Sequence, residues 1–123
     1  MKPLTVVIAQ QDPICAETLA ASLHSHFRAI SVARSVDELR TAIPKNRADL
    51  AVVDLELATL PDIAELHREF PQTVVVCTHR TPDEEMWSLV MEAGASDFCQ
   101  NSDVRSIVMA ATRDTHLGNG AAA

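Results

Sequence analysis

Apolar runs long enough to cross a bilayer are missing from this sequence. The longest, LTVVIA and LAVVDL, fall far short of the roughly 20 residues a spanning helix needs. The first residues also lack a basic stretch followed by a long apolar one, so no secretory leader is read and the expected location is the cytoplasm. Cysteine is sparse: Cys15, Cys77 and Cys99 are odd in number, widely spaced and without a CxxC. That excludes a disulfide framework and a zinc site, and leaves buried reduced thiols. Lysine is limited to Lys2 and Lys45, and the net charge is −7 with a pI near 5.0. Gripping nucleic acid takes clustered Lys and Arg, so any DNA contact would need another domain. Glycine occurs three times, never in the AQQDP segment after the first apolar run. A flavin-phosphate site wants a Ser/Thr/Gly-rich loop there with its amides turned to the anion, which disfavours a flavodoxin-like cofactor domain. Catalytic triads are missing as well. The run Cys77-Thr78-His79 is too local to form one, because neighbouring strand residues point to opposite faces. No enzyme is read from this chain.

What is present is ordinary globular material, 123 residues with 47% hydrophobic and 22% charged, enough for one domain with one core. Runs rich in β-branched residues at 4–9, 29–33, 49–53, 73–78 and 96–99 predict strands. Between them, apolar residues recur at helical spacing: Ala16, Leu19, Ala20, Leu23 and Phe27; Val36, Leu39 and Ile43; Ile63, Leu66 and Phe70; Met86, Leu89, Val90 and Ala93; Val104, Ile107, Val108 and Ala111. Alternation of this kind implies right-handed crossovers, hence a doubly wound α/β fold, (βα)5, with a parallel five-stranded sheet and helices on both faces. In such sheets ligands sit outside the carboxyl ends of the strands, near the point where strand order reverses. Attention therefore falls on Ala9–Asp12, Val53–Glu56, Thr78–Arg80 and Cys99–Ser102.

Local signals support the boundaries. Asp12-Pro13 places an N-cap before a proline at the first helical position. Thr81-Pro82-Asp83-Glu84-Glu85 opens the fourth helix with acids suited to its positive dipole end. Ser102 or Asp103 caps the fifth helix, and Gly94 ends the fourth in a left-handed conformation. The last residues, 118–123, have no pattern to bury and read as the start of a linker, with an effector domain expected beyond them.

The pieces VVIAQQDP, DLAVVDLEL, VVVCTH and EAGASDFCQNSD, in this order and spacing, resemble the receiver domain of bacterial response regulators, the CheY-like fold. The likeness covers roughly residues 3–116, within a domain taken as 1–117, and GASDFCQNSDVRSIV is nearest the NarL-type branch. The resemblance implies strand order 2-1-3-4-5. It also implies that Asp54 is the aspartate phosphorylated by a histidine kinase. Thr78 corresponds to the hydroxyl residue that bonds the phosphoryl oxygen, and Phe98 to the aromatic that moves with it. Gln10 and Gln11 fall on the acidic pair that holds magnesium, and Asn101 falls on the lysine that pairs with the phosphoryl group. These three positions break the pattern.

The breaks matter because phosphoryl transfer depends on positioning and on neutralising oxygens of growing negative charge. Magnesium favours carboxylates, and neutral amides leave Asp54 as its one sure charged ligand, so metal use is expected to be weak or absent. Asp12 is a neighbour that either ligates metal or stays engaged as an N-cap. Arg80 either meets an anion or is a solvated loop residue, and Glu56 borders the same pocket. His79 stands where the family has a small residue; it narrows access or responds through its charge, or is simply a surface residue. Ala58 and Asp62 replace the family's proline and glycine, and Asn101-Ser102 lacks its lysine-proline step, so a trans peptide is expected there. The amides of Gln10 and Gln11 would hold ionised Asp54 where a metal does in the family. The expectation is an atypical receiver, a signalling and protein-interaction module. Its partners would be a histidine kinase, another signalling protein, or a second copy through the fourth helix, fifth strand and fifth helix, near Trp87, Met86, Met91 and Met109. The alternative is a true phosphoryl-accepting switch at Asp54 controlling a DNA-binding output domain.

Overall fold

A computed structural model describes residues 4–122. Strands β1 (Thr5–Ala9), β2 (Ala29–Ala33), β3 (Leu50–Asp54), β4 (Val74–His79) and β5 (Asp97–Gln100) alternate with helices α1 (Pro13–Leu23), α2 (Val36–Asn46), α3 (Leu60–Glu69), α4 (Glu84–Ala93) and α5 (Val104–Ala122). All strand pairs are parallel, in the order β2-β1-β3-β4-β5, as expected. Central strands are buried on both faces, so β3 reads Leu-Ala-Val-Val-Asp without alternation. Val7, Ala9, Ala51, Val53, Val75 and Cys77 pack toward α2, α3 and α4, while Val6, Ile8, Leu50, Val52 and Val76 pack toward α1 and α5.

Four of the five strands differ by one residue at an end from the sequence reading, and β2 matches it. Asp49 lies just before β3: its carboxylate accepts the Thr5 N–H at 2.9 Å, and its backbone bonds to Thr5 and Val74 on either side. Asp54 joins β3 by pairing with Thr78, and His79 joins β4 by pairing with Gln100. Among the apolar stripes, α4 differs. Val90 is fully buried, but Leu89, expected to face the core, is 42% exposed. Phe27 is buried although α1 ends at Leu23, so it reaches the core from the turn.

The caps explain the boundaries. Asp12 accepts from the Ile14 and Cys15 amides, and Asp83 from that of Met86. Between Ser102 and Asp103, the structure selects Asp103, whose carboxylate accepts the Ser106 N–H at 3.1 Å and its hydroxyl at 2.7 Å. Those two bonds hold the Asp103 carboxyl below its ordinary range. Thr59 and Asp62 form a reciprocal capping box with Pro61 inside the first turn, so Asp62 serves to start α3. Gly94 closes α4 at φ 111°, as expected, and every described peptide bond is trans, including Asn101-Ser102. Helix α5 runs through 118–122, the stretch read as the start of a linker, and Ala123 lies outside the described residues. Among the described residues no helix is long and apolar enough to cross a membrane.

Candidate functional site

Asp54 ends β3 between the carboxyl ends of β1 and β4, at the crevice where strand order reverses. The side chain is buried, which would be costly for a carboxylate without partners. Partners are supplied from three elements. Gln10, just past β1 and only 3% exposed, donates from Nε2 to Asp54 Oδ2 at 3.1 Å. The Thr78 hydroxyl, from β4, donates to the same oxygen at 3.0 Å. Asp54 Oδ1 accepts the backbone N–H of Glu56 at 2.9 Å. Gln10 is itself oriented, because its Oε1 accepts the Asp12 N–H at 3.1 Å. Both ends of that amide are therefore engaged, and its nitrogen is fixed toward the carboxylate.

The surrounding residues divide sharply. Gln11 is exposed and, unlike Gln10, makes no bond to Asp54. Asp12 is occupied as the cap of α1. Arg80 turns outward and pairs with Glu56 at 2.8 Å, an exposed contact. His79 is half-buried and its Nδ1 accepts the Thr81 N–H at 3.0 Å. Asn101 ties β5 to β4 by donating its backbone N–H to the His79 carbonyl at 3.0 Å. Phe98 is buried against Cys77, Val90 and Ala95.

Gln100 falls within the Cys99–Ser102 edge, but the sequence reading gave it no role. Its Nε2 donates to the Arg80 carbonyl at 3.1 Å and fixes the loop after β4. The only signal for it was its place next to Asn101 at a strand's carboxyl edge. Burial pushes the Cys77 thiol up to about 12, with the negative charge of Asp54 adding to the effect. Burial does the same for Cys99, also to about 12. Among the described residues no group of three or more His, Cys, Asp or Glu side chains is placed to hold a metal ion.

No family model and no curated relative matches the sequence. Solved structures do match. A response regulator from Thermotoga maritima is 19% identical, with 90% of this chain and 99% of that one aligned at a TM-score of 0.80. The receiver domain of the response regulator NarL from Mycobacterium tuberculosis is 16% identical, over 91% of this chain and 98% of that one, at 0.78. The BeF3-activated receiver domain of RstA from Klebsiella pneumoniae is 22% identical, over 89% and 95%, at 0.76. The chain has the CheY-like receiver fold of these signalling proteins.

Proposed function

We propose that this chain is an atypical receiver domain that signals through protein contacts and without magnesium-dependent phosphorylation of Asp54. The observation that carries the reading is the Gln10 amide on Asp54 Oδ2, joined there by the Thr78 hydroxyl. Both carboxylate oxygens already accept internal hydrogen bonds, and the donors are neutral.

A magnesium ion is implied by the fold family, and the residues present do not fit it. Magnesium demands oxygen ligands, most often carboxylates, in octahedral array. Here the two positions of the acidic pair are carboxamides, one of which aims its N–H₂ group at Asp54, and the other is exposed. Asp12 is committed to its helix and Glu56 to Arg80. Asn101 carries no charge to meet a phosphoryl group. The engaged Thr78 and the buried Phe98 resemble the inward arrangement that the family adopts on activation.

Output through α4, β5 and α5 is supported by exposed apolar side chains on two of these elements: Trp87 at 49%, Leu89 and, on α5, Met109 at 60%. Partners on this reading are a histidine kinase, another signalling protein, or a second copy. The decisive experiment is incubation with acetyl phosphate and magnesium, read by intact mass. The unmodified mass is expected to persist. A substantial single-phosphate adduct that disappears in Asp54→Ala would establish the alternative, a phosphoryl-accepting switch.

A further inference from the structure

We propose that the open edge of β2 is a self-association surface, on which a second copy of this chain adds its own β2 antiparallel across a two-fold axis. The surface lies at the end of the sheet opposite β5 and is independent of the reading of Asp54.

Among the described residues β2 is bonded to β1 alone, so its other side presents unpaired backbone groups. Natural edge strands are guarded by charges, prolines or bulges against pairing with another chain. The other edge of this sheet has such a guard: Asp97 in β5 accepts the Phe98 N–H and pairs with Arg113. β2 has none. Its sequence, Ala29-Ile30-Ser31-Val32-Ala33, carries neither charge nor proline, and its pairing with β1 runs without a bulge.

The strand is also self-complementary. The Ala33 carbonyl accepts the Gln10 N–H at 3.1 Å, so Ala33 turns its backbone toward β1. Alternation along the strand turns Ser31 the same way, and Ile30 and Val32 outward; ahead of the strand the phase changes, since Arg28 also donates its N–H to the Leu4 carbonyl of the segment leading into β1. Antiparallel pairing centred on Ser31 sets Ile30 opposite Val32 of the partner subunit, and each such pair exchanges both of its N–H···O=C bonds. Ile30 and Val32 are in register with Val6 and Ile8, on the α1 and α5 side of the sheet. Val32 is 41% exposed, and the cross-strand pairs would cover it. On the other face Ser31 meets its own symmetry mate without a clash of charge.

Charge complementarity names the occupant as a second copy. A two-fold axis normal to the sheet keeps both α2 helices on one side, running in opposite directions. Asp37 and Glu38 stand exposed in the first turn of α2 and Lys45 in its last. With Ser31 and Val32 they line a cleft of about 490 Å³ beside the strand. Each acidic helix end thus faces the basic end of its symmetry mate, in the sense the helix dipoles favour. Arg28 would approach Arg34 of the partner subunit. Both are exposed and outside the strand, so this repulsion confines pairing to the strand itself and is relieved by salt.

Sedimentation equilibrium on the full chain tests the surface. A dimer is expected, with a dissociation constant raised at least about tenfold by Val32→Pro, which removes an outward N–H and leaves the bonds to β1. Val32→Lys gives the same loss should the proline variant fail to fold, with circular dichroism reporting the fold of each. Lys45→Glu weakens the dimer, and adding Asp37→Lys with Glu38→Lys restores it. A chain that stays monomeric at hundreds of micromolar overturns the proposal, even if β2 captures an extended segment of another protein. So does a dimer indifferent to both Val32 variants and abolished by Trp87→Ala.

Discussion

A single nitrogen defines the chemistry around Asp54. Gln10 Nε2 brings a partial positive charge to the buried Asp54 carboxylate, and it does so from a side chain held at both ends. Removing it leaves a buried carboxylate short of one donor and the Asp12 amide short of an acceptor. Gln10→Ala is therefore expected to lower stability by about 2 kcal/mol, read as a shift in urea midpoint at constant slope. Gln10→Glu asks a sharper question. It sets a second anion beside Asp54, so the variant should be destabilised in EDTA and recover in millimolar magnesium, whereas the parent chain should respond to neither. Equal magnesium stabilisation of parent and variant would mean that the native site already binds the ion.

Elements in this chain are set mostly by their ends, and two ends sit in left-handed backbone. Arg47 closes α2 at φ 51°, a conformation that costs a side chain with a Cβ about 1 kcal/mol. Arg47→Gly is expected to recover about that amount, minus the greater freedom glycine gives the unfolded chain, so thermal denaturation should show a small gain. Gly94 is the converse case. Its φ is 111°, and a Cβ there would lie 2.6 Å from the His67 ring on α3. Gly94→Ala thus combines backbone strain with a collision between α3 and α4, and should cost about 1–3 kcal/mol in the same assay. An alanine variant as stable as the parent would show that α4 can shift freely. The element pattern itself was legible: caps at Asp12 and Asp83 and the glycine at position 94 all act as their residue types predict. Leu89 was not legible, because helical spacing gives a stripe of residues and only packing against the sheet decides how much of it is covered.

At the scale of the whole molecule, the cysteines report the integrity of the core. Cys77 and Cys99 are buried with thiols pushed up to about 12, whereas Cys15 is half-buried, its thiol raised by burial first and by Asp54 second. A thiolate reagent at neutral pH should label Cys15 first, and the other two only as the chain unfolds. Alkali should act on stability through the same groups. An unfolded thiol loses its proton near 9.0 while the folded one holds it to about 12, so stability is intact below 9.0 and falls as pH rises through that window. Substituting Cys77→Ala and Cys99→Ala should flatten that loss in pH-dependent urea titrations, whatever the cavities cost at neutral pH. Equal labelling of all three thiols in the folded chain would contradict this packing.

Composition and periodicity alone determined the alternating α/β order, the strands to within a residue, and the carboxyl edge as the place to look, because burial on a parallel sheet writes itself into apolar runs and helical spacing. The sequence also placed two neighbouring glutamines, Gln10 and Gln11, at that edge. Only the tertiary structure decided that Gln10 faces Asp54 while Gln11 faces solvent, that Arg80 pairs with Glu56, and that β2 has an open edge. Neighbouring residues of one type are equivalent in a string. They part company only when a strand end, a helix cap and a packed neighbour fix which way each side chain can point.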